Sequence, residues 1–173
     1  MNQLRISLVA FFILSFSPSV FAETGKVTLR GTTEGSLVSG KALLQDTPEG
    51  LKVTVEVSHV PPGKHGFHIH QYGSCGNEGK DAGGHYNPDG VAHGLLMTGG
   101  FLGAHAGDLG NLEVDKDGTG RTEMKIPGLS LSGGKYSVGG RGLILHEKED
   151  DFSQPTGNAG GRIGCGTIKI TGE

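Results

Sequence analysis

Tryptophan is absent from the 173 residues, cysteine occurs twice, proline seven times, and aromatic side chains make up 6% of the chain. A core built mainly on large rings is excluded, so aliphatic side chains must carry it. Long hydrophobic runs are also missing, except for one at the N-terminus. There Arg5 supplies a positive charge, Ile6–Phe16 is apolar, and Val20-Phe21-Ala22 offers small residues around a cleavage point. The run is too short to cross a bilayer and Pro18 follows it, so residues 1–22 read as a cleaved secretory signal and no other segment could span. An excess of positive charge is lacking as well. Once Arg5 is removed, 14 basic residues stand against 18 acidic ones, a formal charge of −4. That balance gives no footing for nucleic acid or for an anionic membrane surface.

What the chain has in abundance is glycine, 33 residues of it. With no G-X-Y period, this composition excludes collagen, and it argues equally against an all-helical protein. Residues 23–173 are long enough for one domain with its own core. Leu51, Val53, Val55 and Val57 alternate with Lys52, Thr54, Glu56 and Ser58, the period-two pattern of a strand buried on one face. Ser36–Gln45 leads into it across Asp46–Gly50 as a hairpin, and a second hairpin is expected between Asn111–Asp115 and Thr119–Ile126. Further strands are expected near Lys26–Arg30, His65–His70, Arg141–His146 and Cys165–Thr171. The fold class is all-β, an antiparallel sandwich or flattened barrel.

Two stretches, Gln71–Gly110 and Glu147–Gly164, are rich in Gly, Asp, Asn and Ser and show neither periodicity. Loops of that length in a small domain are functional or disordered. The histidines decide between the two. All eight lie after the signal, and six of them, with Asp108, form a pattern: His68 and His70 on one strand, His85, His93 and His105 in the first loop, His146 at a strand end. Spacing by two puts His68 and His70 on one face of their strand while Phe67 and Ile69 enter the core. Leu143 and Leu145 likewise face inward, leaving Ile144 and His146 outside. A three-histidine, one-aspartate set suits zinc, and nitrogen-rich ligation suits copper. A His pair on a strand is more often an ordinary surface pair, and it is the joint pattern that favours metal. Two cysteines, Cys75 and Cys165, in an exported chain favour a disulfide over free thiols. The closed loop would contribute about 4–5 kcal/mol in the chain-entropy account if unstrained.

Five motifs, in order, resemble the Cu/Zn superoxide dismutase family: Gly66–His70, Gly83–Pro88, Gly107–Asn111, Leu145–Lys148 and Gly157–Gly166. The resemblance covers nearly all of the mature chain and implies an immunoglobulin-like Greek-key sandwich with two long functional loops. It implies His68, His70, His85 and His146 as copper ligands, and His85, His93, His105 and Asp108 as zinc ligands, so that His85 bridges the two. Asp150 corresponds to a carboxylate shared by a copper and a zinc histidine, Arg162 to an arginine that orients a small anion beside copper, and Cys75–Cys165 to the family disulfide. His85 and Arg162 are the catalytic candidates. The implied reaction converts superoxide to O₂ and H₂O₂. His65 matches a structural imidazole, whereas His59 has no assigned role.

Departures from the family pattern are local. His70–Cys75 is short and Cys75–His85 long, which resembles the bacterial periplasmic branch and implies a periplasmic or secreted protein. Glu147–Gly157 is shorter than the cytosolic electrostatic loop, so Lys80 and Lys148 are named as steering cations from loop position alone. Leu95–Leu102 is unusually apolar, and folding back on the domain accounts for it more simply than a partner surface does. A homodimer is compatible with the family, with no dimer surface indicated. The rival reading is a non-enzymatic copper or zinc carrier, against which Arg162 and the full bridging set weigh.

Overall fold

The computed structural model describes residues 22–172. The expected signal at 1–22 therefore falls almost wholly outside the described residues. Nine strands form: β1 Thr24–Gly31, β2 Ser39–Thr47, β3 Gly50–Ser58, β4 Gly63–His70, β5 Asp108–Val114, β6 Gly120–Ile126, β7 Gly142–His146, β8 Arg162–Thr167 and β9 Lys169–Gly172. Their order is β2-β3-β6-β5-β4-β7-β8-β1-β9, and β2 also pairs with β1, which closes an antiparallel barrel. Closure removes free edges over most of the sheet. Because β4 lies between β5 and β7 rather than beside β3, the connections run across the barrel ends as a Greek key.

Strict alternation in β1 to β3 sends Val27, Leu29, Ala42, Leu44, Leu51, Val53, Val55 and Val57 inward. They join Phe67, Ile69, Leu112, Leu143 and Leu145 in one aliphatic core in which Phe67 is a rare ring. The β2–β3 hairpin is as expected, with Thr47 opposite Gly50 across Pro48-Glu49. The second hairpin also forms, though with a short ladder: β5 and β6 pair antiparallel where Val114 faces Gly120, Asp115 N–H donates to the Thr119 carbonyl at 2.8 Å, and on its other edge β6 pairs along its whole length with β3 from Leu51 to Val57. The C-terminal strand is also interrupted: Ile168 turns inward, buried, between β8 and β9.

The apolar segment in the first loop forms a short kinked helix, α1, Leu96–Gly103, broken at Gly100. Leu96 is buried and Phe101 stacks on Tyr136 with ring centroids 3.6 Å apart. The segment folds back only in part, through Leu95, Leu96 and Phe101, while Leu102 stays 92% exposed and Met97 48%.

Candidate metal centre

β4 runs through the middle of the site. Phe67 and Ile69 point into the barrel and are fully buried, which fixes His68 and His70 on the outer face. That outer face is not open to solvent. The two long loops cover it, and both histidines are buried. On the neighbouring strand β7, Leu143 and Leu145 enter the same core, so His146 stands outside beside His70. The first loop folds over these rings: His70 and His85 form an isolated antiparallel bridge, and Gln71 N–H donates to the Gly84 carbonyl at 3.0 Å. Asp108 begins β5 directly opposite His68.

The side chains gather into three groups whose donor atoms lie within 4.8 Å of one another: His68, His70, His85 and His146; His85, His93, His105 and Asp108; and His68, His93 and Asp150. In the first, His70 Nε2 and His146 Nε2 are 3.3 Å apart. In the second, Asp108 Oδ1 lies 2.8 Å from His85 Nδ1 and 3.0 Å from His105 Nδ1, Asp108 Oδ2 lies 2.8 Å from His93 Nδ1, and the Nδ1 atoms of His85 and His105 are 3.4 Å apart. Ligands about 2.0–2.1 Å from a tetrahedral ion are roughly 3.3 Å from each other, so this spacing suits a cation between them.

Hydrogen bonds behind the rings decide which nitrogen is free. His68 Nε2–H donates to Asp150 Oδ2 at 2.8 Å, His93 Nε2–H to Asp150 Oδ1 at 2.9 Å, and His70 Nδ1–H to the Gly83 carbonyl at 2.9 Å. His146 Nδ1 faces the Gly160 carbonyl at 3.4 Å. Each ring thus turns a lone pair toward its cluster. The Nδ1 atom of His68 is buried and makes no hydrogen bond, an arrangement that costs free energy unless a cation takes the lone pair, and the equally buried Nδ1 of His93 has Asp108 Oδ2 beside it at 2.8 Å. Asp150 is itself clamped. Asn111 Nδ2 donates to its carbonyl at 2.9 Å, its own N–H donates to Asn111 Oδ1 at 2.7 Å, and Phe152 N–H donates to Oδ1 at 2.8 Å. Gly157, at φ +75°, supports this arrangement by lacking a Cβ, which would sit 1.8 Å from Asp150 Oδ1.

Burial disfavours the charged form of three imidazoles of the first cluster. It lowers the pKa of His70 to about 2, of His146 to about 3 and of His85 to about 4, the last despite the Asp108 hydrogen bond. Burial would do the same to His93, but its bonds to Asp108 and Asp150 outweigh it and raise the pKa to about 9. Both carboxyl groups resist the upward pull of burial and sit well below the usual carboxylate range, held by their histidine donors.

Beside the first cluster is a cavity of about 200 Å³ lined by His70, His85, His146, Thr156, Asn158 and Arg162. The Arg162 guanidinium is anchored by donating to the carbonyls of Gly79 and Gly83, so Arg162 and His70 share the Gly83 oxygen. Partial burial lowers its pKa somewhat from the ordinary arginine value. Cys75 and Cys165 are joined, with Cα atoms 5.7 Å apart, which ties the first loop to β8 three residues from Arg162. Of the two guessed cations, Lys80 is ion-paired with Glu78 at 3.0 Å, whereas Lys148 makes no ion pair among the described residues. His65 braces the strands through the carbonyls of His146 and Pro61, and His59 is an exposed loop residue. Sequence reasoning missed Asn111 and Gln154 as supports, although Asn111 lies inside a quoted motif. Gln154 grips the His93 backbone from both sides, donating to its carbonyl at 2.8 Å and accepting from its N–H at 3.0 Å.

The family model described as copper/zinc superoxide dismutase matches residues 38–168. The chain belongs to the copper/zinc superoxide dismutase family. It is 45% identical over 130 residues to an extracellular Cu-Zn superoxide dismutase of Caenorhabditis elegans, a match covering 71% of this chain and 57% of that protein. The chain therefore spans little more than half the length of that relative. Two Cu-Zn superoxide dismutases of Aquifex aeolicus are 41% and 40% identical, covering 75% and 79% of this chain and 79% and 82% of theirs. The crystal structure of the clock protein EA4 superimposes with a TM-score of 0.75 at 33% identity, covering 86% of this chain and 94% of that one. Family membership marks the chain as an enzyme of the superoxide dismutase type with copper and zinc as its metals. The donor atoms fit that pair, since four imidazoles suit copper and three imidazoles with one carboxylate suit zinc.

Proposed function

We propose that the protein dismutates superoxide outside the cytoplasm, with copper held by His68, His70, His85 and His146 and zinc by His85, His93, His105 and Asp108. The observation that carries this reading is the position of His85, which belongs to both clusters at once. Copper bound there would supply one-electron chemistry, oxidising one superoxide to O₂ and reducing a second, with two protons, to H₂O₂. The protein's own groups do the rest. His85 commits Nδ1 to the Asp108 cluster, leaving Nε2 to take up a proton and return it between the half-reactions. Asp108 fixes the ring that moves this proton. Arg162 places a cationic fork at the cavity mouth, where it attracts and orients an anion of one or two atoms. A disulfide between Cys75 and Cys165, the extracellular relative and the N-terminal signal pattern together support export.

A metal carrier on the same scaffold would also use the histidines, but it has no use for an anchored guanidinium facing an anion-sized cavity. Superoxide consumption by the copper- and zinc-loaded protein, with and without a chelator, tests the reading. Rapid chelator-sensitive turnover is expected, and tightly held metal without turnover would overturn it.

A further inference from the structure

The strongest unassigned feature lies beside the disulfide and shares no lining residue with the metal-ligand clusters. A cavity of about 440 Å³ opens on the outer face of the β1, β8 and β9 seam, and its charged lining consists of Lys26, Arg30 and Lys169 with no acidic residue among them. Lys26 and Arg30 are exposed on the outer face of β1, and Lys169 is the direct cross-strand partner of Lys26. Like charges placed opposite each other on paired strands repel. None of the three makes an ion pair among the described residues, whereas most other strand lysines do: Lys41 with Glu56, Lys52 with Glu123, Lys64 with Glu149 and Lys125 with Glu49. In a mature chain of net negative charge, a sheet face that concentrates three unpaired cations and sets two of them against each other lacks a counter-charge.

The Thr28 hydroxyl adds a neutral donor to the same walls, whereas those of Thr167 and Thr171 donate to the carbonyls of Gly73 and Thr24. The spacing indicates the shape of the ligand. Four residues of extended strand separate Lys26 from Arg30 by about 13 Å, so one phosphate could not span them. A cavity of this size accepts a small molecule. We infer that this groove binds a small oligoanion carrying two or more phosphate or sulfate groups. One wall is the disulfide itself, since both Cys75 and Cys165 line the cavity and Cys75 is the exposed partner. Arg30 is the cross-strand partner of Cys165. A bound oligoanion therefore covers the sulfur atoms and hinders attack on them by an external thiol.

The test uses the metal-loaded protein and two probes, tripolyphosphate and a trisulfated disaccharide, with orthophosphate as reference. Amide resonances of residues 26–31 and 165–171 should shift on titration, and the better probe should bind at least about tenfold more tightly than orthophosphate. Which probe wins distinguishes a phosphate source from a sulfate one. Lys26→Gln, Arg30→Gln and Lys169→Gln should each weaken binding about fivefold at low salt, as expected for a unit charge met in water at contact distance. Without ligand, Lys26→Gln or Lys169→Gln should raise the melting temperature by relieving repulsion, and superoxide turnover should be unchanged. Saturating probe should slow reduction of the disulfide by a neutral thiol. Affinity unchanged in the triple variant, no preference over orthophosphate, or shifts confined to the metal cavity would each overturn the inference.

Discussion

Asp150→Asn is a near-isosteric change that separates the two metal clusters. The carboxylate serves them unequally through its two oxygens: Oδ2 accepts from His68 at 2.8 Å and takes only the longer contact from His93 at 3.1 Å, whereas Oδ1 accepts from His93 at 2.9 Å and from the Phe152 N–H at 2.8 Å. The Phe152 donor requires an oxygen at the Oδ1 position, so the asparagine amide nitrogen must occupy the other. There it faces His68 Nε2–H, donor against donor, at a site where both side chains are fully buried. The relief available is tautomeric. His68 moves its proton from Nε2 to Nδ1, the atom that has no hydrogen-bond partner and looks into the four-histidine cluster. A charge-assisted bond of about 1.5–3 kcal/mol is lost, and the copper-side lone pair is blocked. Copper affinity should fall about 10–100-fold, the range for a lost supporting hydrogen bond behind a ligand. Zinc affinity should fall much less, since His93 keeps its acceptor. Competition titrations with each metal measure the split, and ¹⁵N shifts of the His68 ring in the metal-free protein report the tautomer. If zinc weakens as much as copper, or if His68 keeps its Nε2 proton, the two oxygens do not act separately and the reasoning fails.

Arg162→Glu should slow the second-order reaction with superoxide more than Arg162→Ala does, by several-fold to over a hundredfold given about 1–4 kcal/mol for unit charges at 4 Å; pulse radiolysis at low and high salt, with copper content checked, measures it, and an unchanged rate would leave Arg162 as a loop anchor only. His146→Ala should lose copper and turnover while keeping zinc, and Asp108→Ala should lose zinc first; metal analysis of the purified variants decides, and equal loss of both metals in both would refute separate sites. Gly157→Ala, whose Cβ would strike Asp150 Oδ1 and lie 2.7 Å from His93 Nε2, should destabilise the metal-free fold by several kcal/mol, read by denaturant unfolding. The metal-free protein should be most stable at about pH 7. Above that, stability falls as pH rises through the His93 value of about 9, because the folded state gives up a proton that it held more tightly than the unfolded chain. Below it, the unfolded chain protonates His70, His85 and His146 near 6.5 while the fold keeps them neutral, a loss of about 2 kcal/mol for each at pH 5. Melting temperatures from pH 5 to 9.5 in chelator test it, and a monotonic rise with pH would contradict it.

The strands were legible because a half-buried sheet writes its period directly into the sequence, and Leu51–Ser58 is an unbroken instance. What periodicity cannot write is which strand lies beside which. Thr119–Ile126 follows Asn111–Asp115 closely enough to suggest the short hairpin that forms, yet nothing local shows that its longer pairing is with β3, some seventy residues earlier. The facing of His68, His70 and His146 followed from the same alternation, but not their burial, since that depends on loops with no period at all. Asp150 and Arg162 were reached through family motifs rather than through spacing. Asn111 and Gln154 carried no signal of their own, because a polar loop residue that clamps a backbone looks in sequence like one that merely meets water. Lys80 shows the opposite error, a cation chosen by loop position whose charge is paired with Glu78.

Glycine-rich loops of this length carry a large ordering cost and bury little apolar surface with which to offset it. Their order has to come from elsewhere, and each loop is held at several points. The first is tied to β8 by the disulfide, to Arg162 through the carbonyls of Gly79 and Gly83, and to β4 at Ile69, whose carbonyl accepts from the Tyr86 N–H and whose N–H donates to the Gly107 carbonyl. The second is tied to β5 by Asn111 and to the first loop by Gln154 and by Asp150 on His93. The two loops therefore meet at His93, whose Nε2 is held by Asp150 and whose Nδ1 looks into the second cluster beside Asp108 Oδ2. A cation there would complete the loop-to-loop joint as well as the cluster, so removing it should loosen residues 71–107 and 147–161 before it loosens any strand. Hydrogen exchange of those loops in metal-free protein is the direct measure of that order.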